Sequence, residues 1–301
     1  MKRSRHVSAL AERGFKPVRG LRFPYVRLMM TTLVRDALDE DCAASDITSI
    51  ATVVSDRRVR CSIVAREAGV IAGIPLAREA FRQRDPNVSV RAVVKDGQRV
   101  ETTTPVIFLA GNARGLLSAE RVALNFMQRL SGIASLTARY VDAIKGTGAK
   151  ILDTRKTTPG WRRLEKYAVR AGGGMNHRMD LSAAVLIKDN HLAALGGDVE
   201  LAVQHARKIA PASTPVEVEC DNLDQVRAAL VAAADVIMLD NMSNSILRQA
   251  VELVDGRAVT EASGGVTLDC VRSIAETGVD WISVGALTHS AKAMDLALDF
   301  E

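Results

Sequence analysis

Residues 215–219, Pro215-Val216-Glu217-Val218-Glu219, are followed by Val236-Ile237-Met238-Leu239-Asp240, Ala258-Val259-Thr260-Glu261 and Trp281-Ile282-Ser283-Val284-Gly285. Each is a short apolar run of the kind that forms a strand buried on both faces. Amphipathic stretches near 222–232, 243–254 and 267–276 separate them. Alternation of strands and helices at this spacing builds a parallel sheet with helices outside, and a sheet that closes or nearly closes is a barrel. Working outward, Lys150-Ile151-Leu152-Asp153 and Ala184-Val185-Leu186-Ile187-Lys188 join the series, with a helix near 197–210 and a terminal one from about 288.

Almost every one of these strands ends in a polar residue or glycine: Asp153-Thr154-Arg155-Lys156, Lys188-Asp189-Asn190-His191, Glu219, Asp240-Asn241, Glu261-Ala262-Ser263-Gly264-Gly265 and Gly285. In a barrel the carboxyl ends of the strands form one mouth, so these residues are expected to converge there.

The preceding segment has a different period. Residues 33–38 suit a helix that runs into Asp39-Glu40-Asp41, and residues 59–65, 88–94 and 106–110 suit strands. Together they predict a small α+β domain with a mostly antiparallel sheet. Residues 117–130 and 133–144 suit a long helical stretch interrupted at Ser131-Gly132.

A chain of 301 residues with 48% apolar side chains can bury one large core or two smaller ones. No run approaches the roughly 18 apolar residues of a membrane span. Cys42, Cys61, Cys220 and Cys270 form no Cys-x-x-Cys pair, which argues against a zinc site and a secreted disulfide framework and suits the cytoplasm. The charge is uneven. The first 35 residues carry nine Lys or Arg against Glu12 alone, so within a net +5 the remaining 266 sum to −3. That segment is Arg-rich like a transit peptide but lacks the apolar core of a secretory signal, and residues 1–28 are read as a basic, disordered extension. With 4% aromatics and no basic-aromatic alternation, no nucleic-acid platform is expected.

Between Lys150 and His191 stand nine Lys or Arg against four acids, a focus that attracts an anion. Arg162, Arg163, Lys166 and Arg170 fit a solvated helix face. Arg155, Lys156, Arg178 and Lys188 sit instead at strand ends or near Gly172-Gly173-Gly174, where backbone can approach a ligand and Arg can take a carboxylate or phosphate with two hydrogen bonds. Glu219 and Asp240, at the ends of apolar strands, need a partner, a metal or a sugar hydroxyl. Ser263-Gly264-Gly265 and Gly285-Ala286 suit a phosphate. There is no P-loop, dinucleotide fingerprint or nucleophile elbow, and the spacing of His177, His191 and His289 matches no transition-metal triad. These features reach a barrel enzyme for a carboxylate-rich or phosphate-rich small molecule.

At these residues the sequence resembles the quinolinate phosphoribosyltransferases, the decarboxylating nicotinate-nucleotide pyrophosphorylases. The strings that carry the resemblance are Ser118-Ala119-Glu120-Arg121-Val122-Ala123-Leu124-Asn125-Phe126, Asp153-Thr154-Arg155-Lys156-Thr157-Thr158-Pro159-Gly160, Asn176-His177-Arg178-Met179-Asp180-Leu181, Ile187-Lys188-Asp189-Asn190-His191, Glu217-Val218-Glu219, Met238-Leu239-Asp240-Asn241, Ser263-Gly264-Gly265 and Val284-Gly285-Ala286-Leu287-Thr288-His289-Ser290. Their order holds from about residue 33 to the C-terminus. The family's early glycine-rich acidic turn appears here without glycines, as residues 39–48.

The resemblance implies an α/β fold, with an N-terminal α/β sandwich domain over 29–130 and an incomplete (β/α) barrel over 131–301 whose last helix is free to return to the first domain. It implies transfer of phosphoribose from phosphoribosyl pyrophosphate to quinolinate, with Mg2+, in a homodimer or larger assembly whose subunits share active sites. Arg121, Thr154, Arg155, His177, Arg178 and Lys188 would hold the quinolinate carboxylates, and Lys156 would face the donor. Glu219 and Asp240 would bind ribose hydroxyls and Mg2+, so that Lys156, Glu219 and Asp240 are the catalytic set. Ser263, Gly264, Gly265, Gly285 and Ala286 would cradle the 5′-phosphate beside His289. Two other classes fit less well: a paralogue using nicotinate or another acidic acceptor, disfavoured by the full set of Arg121, Arg155, Arg178 and Lys188, and a non-catalytic scaffold tethered to RNA or membrane by its basic N-terminus, disfavoured by intact Glu219 and Asp240.

Overall fold

The computed structural model describes residues 20–301. They divide into two units, one of residues 20–138, 163–173 and 291–301, the other of 139–162 and 174–290.

The first unit is built on an antiparallel sheet. Its strands are β1 (Arg58–Ala65), β3 (Ser89–Ala92) and β5 (Pro105–Asn112), with β2 (Gly69–Val70) and β4 (Arg99–Val100) forming a separate ribbon. β1 pairs with β5 in a register that sets Cys61 opposite Leu109. Alternation turns Cys61, Ile63 and Ala65 inward, where they are fully buried. Helices Arg27–Glu40 and Ile74–Arg84 flank this sheet in sequence; the second starts after Gly73, whose φ of 100° favours glycine, with Pro75 in its first turn.

Ala113–Ala143 is one helix, so the boundary expected at 130/131 falls inside it. Ser131 and Gly132 do not break it because each serves a contact. Ser131 Oγ accepts from the Ala72 N–H at 2.9 Å. A Cβ on Gly132 would collide with the Lys292 carbonyl oxygen, so the glycine permits close backbone approach.

The second unit is a parallel sheet of β6 (Lys150–Leu152), β7 (Val185–Ile187), β8 (Val216–Cys220), β9 (Val236–Asp240), β10 (Val259–Ser263) and β11 (Trp281–Ser283), in the spatial order β6-β11-β10-β9-β8-β7. β6 and β7 are its unjoined edges, which makes the barrel incomplete. Leu152, Val236, Val259 and Trp281 form a buried cluster with Ala184. Side-chain caps set where three of the helices begin: Asp198 accepts from Leu201 N, Asn222 from Gln225 N and Ser243 from Ile246 N.

Three expectations are corrected. The terminal helix is only Ala286–His289; after it comes β12 (Leu296–Phe300), which pairs with β1 and sets Phe300 opposite Cys61. Its alternating Leu296, Leu298 and Phe300 belong to a strand that completes the antiparallel sheet, a placement that period-2 apolarity favours over a helix. Of the proposed extension, residues 1–19 lie outside the described residues, and 20–28, though mostly exposed, are half-buried at Phe23, Pro24 and Tyr25. Phe23 meets Tyr167 edge-on with ring centroids 5.2 Å apart, and Arg170 donates to the Arg22 carbonyl. Finally, the helix Arg162–Ala171 is not a solvated basic face, because Glu165 and Lys166 are fully buried and Arg129 pairs with Glu165 at 2.8 Å. No helix of the described residues is long and apolar enough to cross a membrane.

Candidate active site

The carboxyl ends of the parallel strands surround a cavity of about 730 Å³. Alternation along each strand decides what enters it. Glu219 on β8, Asp240 on β9 and Ser263 on β10 each lie two residues beyond another inward residue, Glu217, Met238 and Glu261. Thr154, Arg155, Lys156, His177, Arg178 and Lys188 line the same cavity, as do Gly264, Gly265, Gly285, Ala286 and His289. Arg121 is the exception among the expected residues; it is exposed on the helix Ala113–Ala143 and is not among the lining residues.

One wall is cationic and underpaired. Arg178 is buried and holds the Ala184 carbonyl through Nη1 at 3.0 Å, while Arg155 Nε is buried with no hydrogen-bond partner among the described residues. Burial and then the like charge of Arg155 lower the pKa of Arg178. Two guanidiniums that repel one another in a cavity form a receptor for an anion.

The same cavity carries carboxylates. Lys188 Nζ stands 3.3 Å from Glu219 Oε2, and Asp240 Oδ2 accepts from Asn241 Nδ2 at 2.6 Å. Glu219 is nevertheless raised above the usual carboxylate range, first by burial, with Asp240 also contributing. Two carboxylates lining one cavity offer the oxygen donors that a hard divalent cation prefers, so this donor set fits Mg2+.

The glycine loop has steric reasons for its composition. Gly264 has φ +91°, and a Cβ there would fall 2.1 Å from Asn241 Oδ1. A Cβ on Gly285 would lie 3.1 Å from His289 Nε2 and 3.2 Å from Lys156 Cδ. Thr288 Oγ1 donates to the Lys156 carbonyl at 2.7 Å, tying this turn to the loop after β6.

Below the cavity lies a group that motif reading left unassigned. Glu217 and Glu261 are fully buried and face His177 Nε2. Burial opposes a charged imidazole, while Glu217 and Glu261 favour one and pull the His177 pKa upward. Glu217 is itself raised, by burial and by Glu261. Against that pull, Nδ1 accepts the Arg178 backbone N–H at 2.8 Å, a bond that keeps a second proton off the ring and leaves its one proton on Nε2. The signal for Glu217 and Glu261 is present in the sequence as acids at inward positions of otherwise apolar strands. His191 does not line the cavity; its Nδ1 accepts the Lys188 backbone N–H at 2.9 Å and so supports the turn that presents Lys188.

Residues 46–131 match the model of the quinolinate phosphoribosyl transferase N-terminal domain, and residues 133–299 that of its C-terminal domain. The chain belongs to the quinolinate phosphoribosyltransferase family. It is 47% identical over 274 residues to the nicotinate-nucleotide pyrophosphorylase [carboxylating] of Mycobacterium leprae, covering 88% of this chain and 95% of that one. A probable enzyme of the same name from Bacillus subtilis is 43% identical over 272 residues, covering 90% and 93%. The solved nicotinate-nucleotide pyrophosphorylase of Francisella tularensis superposes with a TM-score of 0.87 at 40% identity, covering 93% and 99%. That family fold accounts for the pairing of an antiparallel sheet with an incomplete barrel in one chain.

Proposed function

We propose that this chain is a pentosyltransferase of NAD biosynthesis that joins the phosphoribosyl group of phosphoribosyl pyrophosphate to the ring nitrogen of quinolinate. Nicotinate mononucleotide, pyrophosphate and CO2 are the products. The observation that carries this reading is the gathering in one cavity of the cations Arg155, Arg178 and Lys188 with the carboxylates Glu219 and Asp240.

Arg155, Arg178 and Lys188 hold the quinolinate dianion and aim its nitrogen at the anomeric carbon. As the bond to pyrophosphate lengthens, positive charge grows on the sugar and negative charge on the leaving group. Glu219 and Asp240 stabilise the first and Lys156 the second. Glu219 and Asp240 would hold Mg2+, which would supply Lewis-acid neutralisation of the pyrophosphate. Ser263, Gly264, Gly265 and Gly285 retain the 5′-phosphate with His289 beside them. Once alkylated, the cationic ring nitrogen stabilises the electron pair left on the adjacent ring carbon when its carboxylate leaves as CO2, and that pair then takes up a proton. Restraint of the remaining carboxylate by the cationic wall is all this step asks of the protein.

Incubation with phosphoribosyl pyrophosphate, Mg2+ and either quinolinate or nicotinate tests the reading. Nucleotide and CO2 form in equal amounts from quinolinate; turnover of nicotinate without CO2 would replace it by the nicotinate-using alternative.

Arg121 completes the site of a second subunit in this proposal, supported by its exposure away from the cavity lining and by the family resemblance. Mixing inactive Arg121→Ala and Lys188→Ala chains under subunit exchange then regenerates one intact site per mixed dimer. A cytoplasmic setting is supported by Cys42, Cys61, Cys220 and Cys270 all being thiols.

A further inference from the structure

The cavity's floor contains more buried acid than the reaction uses. Glu217 from β8 and Glu261 from β10 approach the same imidazole: His177 Nε2 lies 3.1 Å from Glu217 Oε2, 3.4 Å from its Oε1 and 3.5 Å from Glu261 Oε1. Ser283 Oγ, from β11, donates to Glu261 Oε1. Two strands thus converge on one ring, and a third braces Glu261. Burying two carboxylates is costly, and strand pairing does not require it, because the backbone makes the register and an apolar side chain would fit β8 or β10 as well. Glutamates retained at such positions point to a specific task.

The ring's other nitrogen shows what that task is. His177 Nδ1 accepts the backbone N–H of Arg178 at 2.8 Å, and a nitrogen that accepts carries no proton. The ring proton therefore sits on Nε2, facing the carboxylates. The same three side chains include the donor atoms of a metal cage, but a cation would have to displace that proton while Nδ1 stays unprotonated, which would leave an imidazolate. Asp153 fixes the segment from the other side, Oδ1 accepting the His177 N–H at 2.9 Å and Oδ2 accepting from Asn176 Nδ2 at 2.6 Å. With both nitrogens engaged, His177 transmits position from the acid pair to the backbone of Arg178, whose guanidinium lines the cavity.

We propose that Glu217 and Glu261 are positioning residues of the quinolinate subsite, acting through His177 to fix the backbone of Arg178. This rests on the quinolinate reading of the cavity.

Two measurements on the full chain test it. Nitrogen-15 NMR, with His177 assigned by the signals lost in His177→Gln, shows the neutral Nε2–H tautomer with an unprotonated Nδ1. Glu261→Gln and Glu217→Gln, which keep an amide oxygen for the ring proton, retain that tautomer; Glu261→Ala and Glu217→Ala lose it. An imidazolium protonated on both nitrogens, or a metal-bound Nε2, would overturn the proposal. Steady-state kinetics then separate positioning from general destabilisation. The Ala variants raise the KM for quinolinate by about ten- to a hundredfold, the range for a binding group misplaced by about an ångström, with a much smaller change for phosphoribosyl pyrophosphate, and the Gln variants recover most of the loss. Equal rises for both substrates, or none, refute it. A wild-type chain that shows the tautomer but does not turn over quinolinate would instead count against the assigned reaction.

Discussion

Lys188 and Glu219 form an ion pair across neighbouring strand ends, 3.3 Å from Nζ to Oε2, with the lysine 47% exposed and the glutamate 11%. A residue proposed to hold quinolinate is thereby joined to one proposed to serve the sugar and Mg2+. The exposed lysine limits what the pair adds to folding. A double-mutant cycle of Lys188→Met and Glu219→Gln, read by urea unfolding, gives a coupling of about 0.5–1 kcal/mol, the range for a partly solvated pair. A coupling of several kcal/mol would mean that the pair is a structural element rather than an adjustable contact.

Arg155 and Arg178 make a sharper pair of substitutions, because one guanidinium has an orphaned buried nitrogen and the other is depressed by burial and then by its neighbour. Arg155→Ala or Arg178→Ala weakens quinolinate binding by about 2–4 kcal/mol, as expected for a buried charge left without its partner. Phosphoribosyl pyrophosphate binding changes less. Calorimetry with each ligand checks this, and equal losses for both would remove the division of the cavity into two subsites.

Gly264→Ala places a methyl 2.1 Å from Asn241 Oδ1 in a backbone conformation of φ +91°. Asn241 must shift, and with it the hydrogen bond it gives to Asp240. Turnover falls at least about tenfold, equivalent to about 1.4 kcal/mol of lost transition-state stabilisation, while the far-ultraviolet circular dichroism is unchanged. Full activity would show that the loop has room the geometry denies.

The parallel strands and their polar ends are legible in the sequence because apolar runs of about five residues bounded by Gly, Asp and Asn have few other readings. Glu219, Asp240 and the cations at 155, 156, 178 and 188 follow from position at those ends. Contacts made over long sequence separations are less visible. Nothing near Gly132 announces Lys292 as its neighbour, so the glycine reads as a helix break although it is a point of close approach. Lys166 looks like a surface charge until Arg162–Ala171 is packed, and Phe23 looks dispensable until it meets Tyr167. The acidic turn at 39–48 lacks the glycines of the family's pattern. There Cys42 takes φ 49° without being glycine, and Asp46 caps Ile47–Thr52 by accepting from Ser49 N, so the turn keeps its form by side-chain capping.

Asp96 supplies a test in which the sign of a pH effect is fixed by geometry. Its Oδ2 accepts from Gly73 N at 3.0 Å and from Tyr167 Oη at 2.6 Å, and its Oδ1 accepts from Ile74 N at 3.1 Å. An asparagine can offer an oxygen to only one side, so Asp96→Asn leaves a donor facing an amide and costs about 1–3 kcal/mol. Burial raises the Asp96 pKa despite those three donors. The folded chain therefore keeps its proton at pH values where the unfolded chain, with a carboxyl near about 3.9, has released it. The site's contribution to stability is complete below that unfolded value and declines as pH rises through the higher folded one. The asparagine variant has no such term. Urea unfolding of both proteins across an acidic to neutral series should show a stability gap widest at the acid end and narrower toward neutrality, without closing. A gap that widens with rising pH would mean that the hydrogen bonds outweigh burial and that the carboxyl is depressed rather than raised.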